Sequence, residues 1–424
     1  MTSWNQHKGD ARNGGVRRDL EGPLRVKQSW TVDLTGSVGT PVLDRDTVYV
    51  GTGRGNCYAL ERETGRRRWV FETMNATSTT PVVTRTRVYV GTEEGTIYAL
   101  DPATGDQQWA TELPGSLSSS LTVADGRLYA GHTAGVSAIA LEDGTGSPLE
   151  TESADDGAVD DGDVVWTYET DAPAVGCPAV DDGENGGGDG ERRFGERETE
   201  PDPHSNVDGN LETSFDTDFD HDTTHDDGQP VVFVGTEDET VLALAGATGE
   251  EEWTAPADGA VAGGPTVADG LVYVPDQGGT LLAMGVDSGQ SWFSYDIRDG
   301  FVGSATVLPD DDTTFVGAED GYLHVTDTSF GRRKLRGWLF AKKGVQLDGP
   351  LRGSPVVVGD VVCVGDATGS LYGLDVADDC THLWHYGTDA AITGTPAVGD
   401  RQLFVGNEDG VFHCLTWRSD GRRP

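Results

Sequence analysis

A unit of about 40 residues recurs along almost the whole chain, and each copy spells four short strands and no helix. The clearest copy runs Thr80-Pro81-Val82-Val83, then Val88-Tyr89-Val90-Gly91-Thr92, then Gly95-Thr96-Ile97-Tyr98-Ala99-Leu100-Asp101, then Thr104-Gly105, then Trp109. Four-stranded units at this period close radially into a β-propeller, which removes most free sheet edges. The architecture is therefore strongly constrained and the activity is not, because such scaffolds carry many functions.

The copies align on a first-strand anchor and a closing tryptophan. The anchors are Pro41, Pro81, Leu121, Pro178, Pro265, Ala305, Pro355 and Pro396. The tryptophans that end the first seven units are Trp69, Trp109, Trp166, Trp253, Trp292, Trp338 and Trp384. The eighth unit has three strands, 396–398, 403–406 and 411–415, and no matching fourth. Ser29-Trp30-Thr31-Val32-Asp33, at the other end of the chain, is the missing strand. The expected fold is all-β: an eight-bladed propeller of four-stranded blades, its N-terminal strand closing the last blade. It divides into a leading segment at 1–28, one propeller domain at 29–417 and a tail at 418–424.

Each residue type in the unit has a local reason. Val-Tyr-Val alternation suits a buried strand. Gly91-Thr92-Glu93-Glu94-Gly95 has the composition of a tight hairpin. In Asp101-Pro102-Ala103-Thr104-Gly105, proline presets φ and glycine admits a positive φ. The tryptophan then returns on the outer strand and is expected to pack over the Thr-Gly turn or between blades. A recurring tryptophan at a fixed repeat position reads as structural, and that reading covers Trp30 as well.

Charge sets the surface. The chain has 424 residues and a formal charge of -42, with only five lysines. Acidic residues occupy nearly every turn, so one acidic tail or one binding face does not account for them. A solvated acidic coat of this density suits molar salt, where screening relieves self-repulsion. A halophilic archaeal cytoplasm is the expected setting, and nonspecific nucleic-acid binding is disfavoured. No apolar run of transmembrane length and no signal peptide is visible. Cys57, Cys177, Cys363, Cys380 and Cys414 are scattered and odd in number, so thiols are expected rather than disulfides or a metal framework.

The repeat resembles that of the PQQ-like β-propeller family. Its hallmark reads Ala99-Leu100-Asp101 to Thr104-Gly105 to Trp109, again Ala59-Leu60 to Thr64-Gly65 to Trp69, and again Ala243-Leu244 to Thr248-Gly249 to Trp253, with a looser copy at 281–292. The opening Trp4-Asn5-Gln6-His7 to Asp10-Ala11-Arg12-Asn13-Gly14 resembles the segment that precedes the first blade in that family. One branch comprises quinoprotein dehydrogenases, which bind pyrroloquinoline quinone and calcium and are usually exported. The other comprises BamB-like proteins, non-enzymatic scaffolds of outer-membrane assembly. This chain departs from the enzymes in lacking an adjacent Cys-Cys pair, an export signal and an inserted Glu/Asn/Asp set. The resemblance thus implies a scaffold. No cofactor is predicted; pyrroloquinoline quinone and calcium stay open as alternatives without supporting residues.

Insertions are the functional lead. The anchor-to-tryptophan distance is 28 residues in the first two units, 45 from Leu121 to Trp166, 75 from Pro178 to Trp253 and 33 from Ala305 to Trp338. The extra residues fall at 143–164, 184–228 and 327–337, on connections between strands three and four or one and two. Strand direction alternates, so all three leave one face. Neutral loop growth is one reading; a face that binds a protein partner is the other. The acidic, glycine-rich 184–228 segment should be disordered alone.

Within that segment Asp216, Asp218 and Asp220 begin like a calcium loop, but His221 stands where the turn glycine belongs. His221 and His225 beside these carboxylates make at most a weak metal candidate. The basic cluster Arg332, Arg333, Lys334 and Arg336 is a candidate contact for an acidic partner, or it pairs with the protein's own carboxylates. Lys342 and Lys343 are expected in the linker to blade seven, at the opposite face. No phosphate loop, dinucleotide fingerprint, zinc-protease helix or serine elbow is present. His132, His324 and His413 read as strand or turn residues, and no catalytic residue is assigned. The chain is expected to be a non-enzymatic, cytoplasmic interaction scaffold. The alternative is a quinone- or small-ligand-dependent oxidoreductase that uses the axial funnel.

Overall fold

The computed structural model describes residues 4–77, 79–142, 160–182, 229–335, 337 and 342–418. Eight antiparallel sheets follow one another around an axis. Blade one is typical: Val42–Asp44, Thr47–Gly51, Asn56–Glu61 and Arg67–Glu72, from the axis outward. Its second strand is buried along its whole length, while its outer strand alternates towards solvent. That difference is the sequence pattern made structural, since interior strands have a blade on each side. Lys27–Asp33 pairs antiparallel with Val411–Thr416 and completes blade eight, next to Gln402–Gly406 and Ala397–Val398. The ring is thus closed by strands from opposite ends of the chain.

Blades are joined by a repeated contact at the rim. The Trp69 ring of blade one lies under Gly105 of blade two, and its indole N–H donates to Pro102 O at 2.9 Å. A Cβ on Gly105, whose φ is 77°, would stand 2.7 Å from Trp69 Cδ2. Trp30 meets Gly65, Trp109 meets Gly162, Trp166 meets Gly249 and Trp253 meets Gly289 in the same way. Only a glycine both adopts the left-handed turn and admits the ring. An aromatic ring on the second strand backs each one, as Tyr49 does Trp69 with centroids 5.7 Å apart. Trp384 reaches outside its own repeat instead: its indole N–H donates to Pro23 O, where the leading segment stands in for the missing turn of blade eight.

Three expectations at blades five and six are corrected. In blade five Ala283 pairs with Phe293, in the register that Ala59 keeps with Trp69. Phe293 backs onto Tyr273 and lies under Gly331, whereas Trp292 is 50% exposed. Trp292 is therefore not the repeat tryptophan; a neighbouring aromatic residue offered the chain a second way to fill the slot. In blade six the outer strand is Val345–Gln346, paired with Leu323 and Tyr322. The turn Asp327–Gly331 has the ordinary length, and Leu335 takes the inter-blade slot, buried in the cluster that includes Cys380. The extra residues follow Leu335 rather than preceding it. Lys342 and Lys343 accordingly come before the outer strand, not in the linker after it. Trp338 and Arg336 lie outside the described residues.

Candidate functional site

The first residues of the chain seal the axis. The inner strand of every blade has a free edge whose N–H groups need partners. Trp4 O accepts from Leu43 of blade one at 2.6 Å, and Asn5 O from Val83 of blade two at 2.8 Å. Gln6 takes both groups of Val123 in blade three, its Oε1 accepting at 2.8 Å. Ala11 O and Arg12 O accept from Val180 and Val267 in blades four and five, and Gly15 O accepts from Val357 in blade seven. Lys8 Nζ donates to Ala305 O in blade six. Val16–Arg17 then adds a parallel fifth strand to blade seven. Seven blades are thus tied to one stretch of 14 residues, Trp4 to Arg17.

The opposite end of the channel is an open funnel of about 530 Å³. Its wall is a belt of small and hydroxyl residues that bond across blades. Ser354 Oγ accepts from Ser304 N at 2.9 Å, Thr395 Oγ1 from Ser354 N at 3.0 Å and Thr40 Oγ1 from Thr395 N at 3.0 Å. The floor is His7, which is 8% exposed and whose ring nitrogens have no hydrogen-bond partner among the described residues. Burial, with the Lys8 charge beside it, pushes its pKa down to about 3, so the imidazole is neutral. Lys8 is wholly buried, and burial brings its ammonium down to about 7. Neither residue was singled out from the sequence, although both lie in the opening segment that carried the resemblance.

At the rim the basic residues are not one free patch. Lys334 Nζ donates to the main-chain oxygens of Asp311 and Asp312, and so braces its own blade. Lys343 pairs with Asp320 and lies over Tyr322. Arg332 lies over Phe330, 4.6 Å from the ring centroid, and Arg333 over Tyr295 at 6.0 Å. Asp320 also receives His324, whose other ring nitrogen meets Tyr295 Oη at 2.8 Å. This is a buried network between blades five and six. The metal candidates Asp216, Asp218, Asp220, His221 and His225 lie outside the described residues. Among the described residues no group of three or more His, Cys, Asp and Glu is gathered as a metal site. All five cysteines are buried free thiols. Among the described residues no helix is long and apolar enough to cross a membrane.

Blade count, blade order and repeat chemistry define an eight-bladed propeller of the PQQ-like class. The family model described as outer membrane protein assembly factor BamB matches residues 22–155 and 205–423, and the chain belongs to this family. No curated protein sequence matches it. Among solved structures it is similar to BamB from Moraxella catarrhalis, with 18% identity over 93% of this chain and 100% of that one and a TM-score of 0.64. It is also similar to a europium-containing methanol dehydrogenase, with 12% identity over 98% of each chain and a TM-score of 0.68. A quinohemoprotein alcohol dehydrogenase from Comamonas testosteroni matches at 12% identity, over 100% of this chain and 82% of that one, with a TM-score of 0.67. These likenesses share the fold. The donors around the funnel do not suit pyrroloquinoline quinone, a tricarboxylate. Among the described residues its lining carries one guanidinium, Arg352, already 3.4 Å from Glu319, with Glu93 on the same wall.

Proposed function

We propose that the protein is a non-enzymatic scaffold for protein–protein interaction, acting in a salt-rich cytoplasm of halophilic archaeal type. The observation that carries the reading is the division of its two faces. One face carries the leading segment across the axis, together with the connections 141–163 and 182–230 of blades three and four. The channel beneath that face is closed by the leading segment, whereas its other end is open. Membership in the BamB family supports the same reading. The test is affinity purification from the native host in molar potassium chloride, for the whole chain and for a chain lacking 184–228. A stoichiometric partner lost on deletion supports a scaffold that binds through this face; no partner under several growth conditions removes the reading. The acidic coat predicts that the thermal midpoint rises steadily from millimolar to molar potassium chloride. A flat response would remove the halophilic setting.

A second reading rests on His7, a buried imidazole without partners that faces an open, hydroxyl-lined funnel. Such a floor suits a small polar ligand. Calorimetric titration with pyrroloquinoline quinone, with and without calcium, decides the oxidoreductase version of it. Heat that saturates and disappears in His7→Gln would support that version, and none would end it.

A further inference from the structure

Two departures from the repeat coincide at one place on the rim, beside an arginine. In blade five Phe293 fills the inter-blade slot and leaves Trp292 half exposed. In the facing turn of blade six Phe330, 57% exposed, stands where four other turns carry a hydroxyl. There Thr64, Thr104, Thr248 and Ser288 accept from the backbone N–H two residues on, a bond that phenylalanine forfeits. Arg332, two positions after Phe330, stands where blade two has Asp106 and blade one Arg66. Trp292 and Phe330 are neighbours, since the Trp292 indole N–H donates to Ser329 O at 3.0 Å.

The rings are not surplus core. Asp327 Oδ1 caps the turn through Phe330 N at 2.7 Å, and Asp312 Oδ1 holds Thr328 at 2.7 Å, so carboxylates fix the turn from behind. Arg332 stacks on Phe330 and makes no ion pair among the described residues. A chain with 72 acidic and 30 basic residues has abundant carboxylates for its arginines, and this one is turned to an exposed ring instead. Departures from local rules without a gain in packing mark functional positions. Exposed Trp and Phe beside Arg is also the composition of interface centres.

We propose that Trp292 and Phe330, framed by Arg332 and Arg333, form the docking surface for a partner protein segment that presents carboxylates beside an apolar side chain. The aromatic pair takes the apolar side chain, and the guanidinium groups take the carboxylates. The charge of the molecule supplies the selectivity. An acidic segment is repelled over most of the surface and admitted here. The turn Asp327–Gly331 joins strands three and four, so the patch lies on the rim of the insertion-bearing face. The inference rests on the scaffold reading and gives its partner a chemistry.

The test uses the whole chain and the triple variant Trp292→Gln, Phe330→Thr, Arg332→Asp. These substitutions install the residues that blade two has at the same positions, Gln108, Thr104 and Asp106, so the fold should be kept. Both proteins are presented to a displayed library of random short peptides, in a salt that holds their circular dichroism constant. The expected result is enrichment of Asp or Glu next to Phe, Leu or Trp. The enriched peptide, synthesised and titrated by fluorescence polarisation, should bind the variant about tenfold more weakly or worse, with an unchanged thermal midpoint. Equal affinity for the variant, basic peptides or no enrichment would overturn the proposal. A dimer in sedimentation that the variant abolishes would give the patch to a second copy of the chain and overturn it too. A host partner that binds wild type and variant alike would refute the patch and leave the scaffold standing.

Discussion

The junction between blades one and two and the junction between blades five and six are built from the same backbone and obey different rules. At the first, one tryptophan does two jobs: its ring fills the slot under Gly105, and its N–H bonds the turn. At the second the jobs are divided. Phe293 fills the slot under Gly331, and Trp292 keeps the bond to the turn while half its surface meets solvent. Packing alone does not ask for that division, because one residue suffices at five other junctions. The repeat position thus sets a shape to be filled, and residue identity is free wherever a neighbour can fill it.

The comparison breaks most readily by truncation. Trp69→Ala and Phe293→Ala should each cost about 3–5 kcal/mol of apparent stability in urea, since both empty a buried slot. A loss below about 1 kcal/mol for Phe293→Ala would mean that it is not the equivalent residue. Gly105→Ala should cost about 2 kcal/mol, from the left-handed backbone and the clash with Trp69. In a Trp69→Ala background the clash part should vanish, and an additive double mutant would show that the ring and the glycine do not meet.

Acid sharpens the contrast between rim and axis. His7 has a folded pKa of about 3 against an ordinary 6.5, so the freed segment binds a proton that the docked one refuses. Stability from this group is present above pH 6.5 and is lost as pH falls towards 3. From pH 6.5 to 5 the docking of the leading segment should weaken by roughly 1.5 kcal/mol. The readout is the difference in acrylamide quenching between wild type and Trp4→Phe. The same pair built on His7→Gln should be flat over that range; a slope there would assign the effect to other groups. The smallest effect is expected at the divided junction, where Trp292→Gln should change stability by no more than about 0.5 kcal/mol. A cost near that of Phe293→Ala would return Trp292 to the core.

Blade number, blade order and ring closure were legible because they depend on patterns repeated many times. The Lys27–Asp33 strand was found by counting, as the eighth unit lacked its fourth strand. Blade six was misread because its outer strand is broken after Leu335, so the anchor-to-tryptophan ruler ran past the slot to Trp338. Blade five was misread because Trp292 and Phe293 adjoin, and a one-residue shift in register separates slot from surface. The fifth strand Val16–Arg17 and the axial role of Trp4 to Gly15 left no periodic signal. Their partners are backbone groups spread over seven blades, and main-chain bonds of that range are invisible in side-chain pattern.

That last feature has a consequence for the order of events at the ribosome. Residues 4–17 leave the exit tunnel ahead of every blade, yet their partners extend to Val357. This segment therefore waits while blade after blade is made, and takes its place only when blade seven exists. Lys27–Asp33 waits longer still, for Val411–Thr416. A nascent chain halted before blade seven should keep residues 4–17 open to protease, however well its middle has folded. The finished ring is the first object in which the segment ahead of the blades has a place to go.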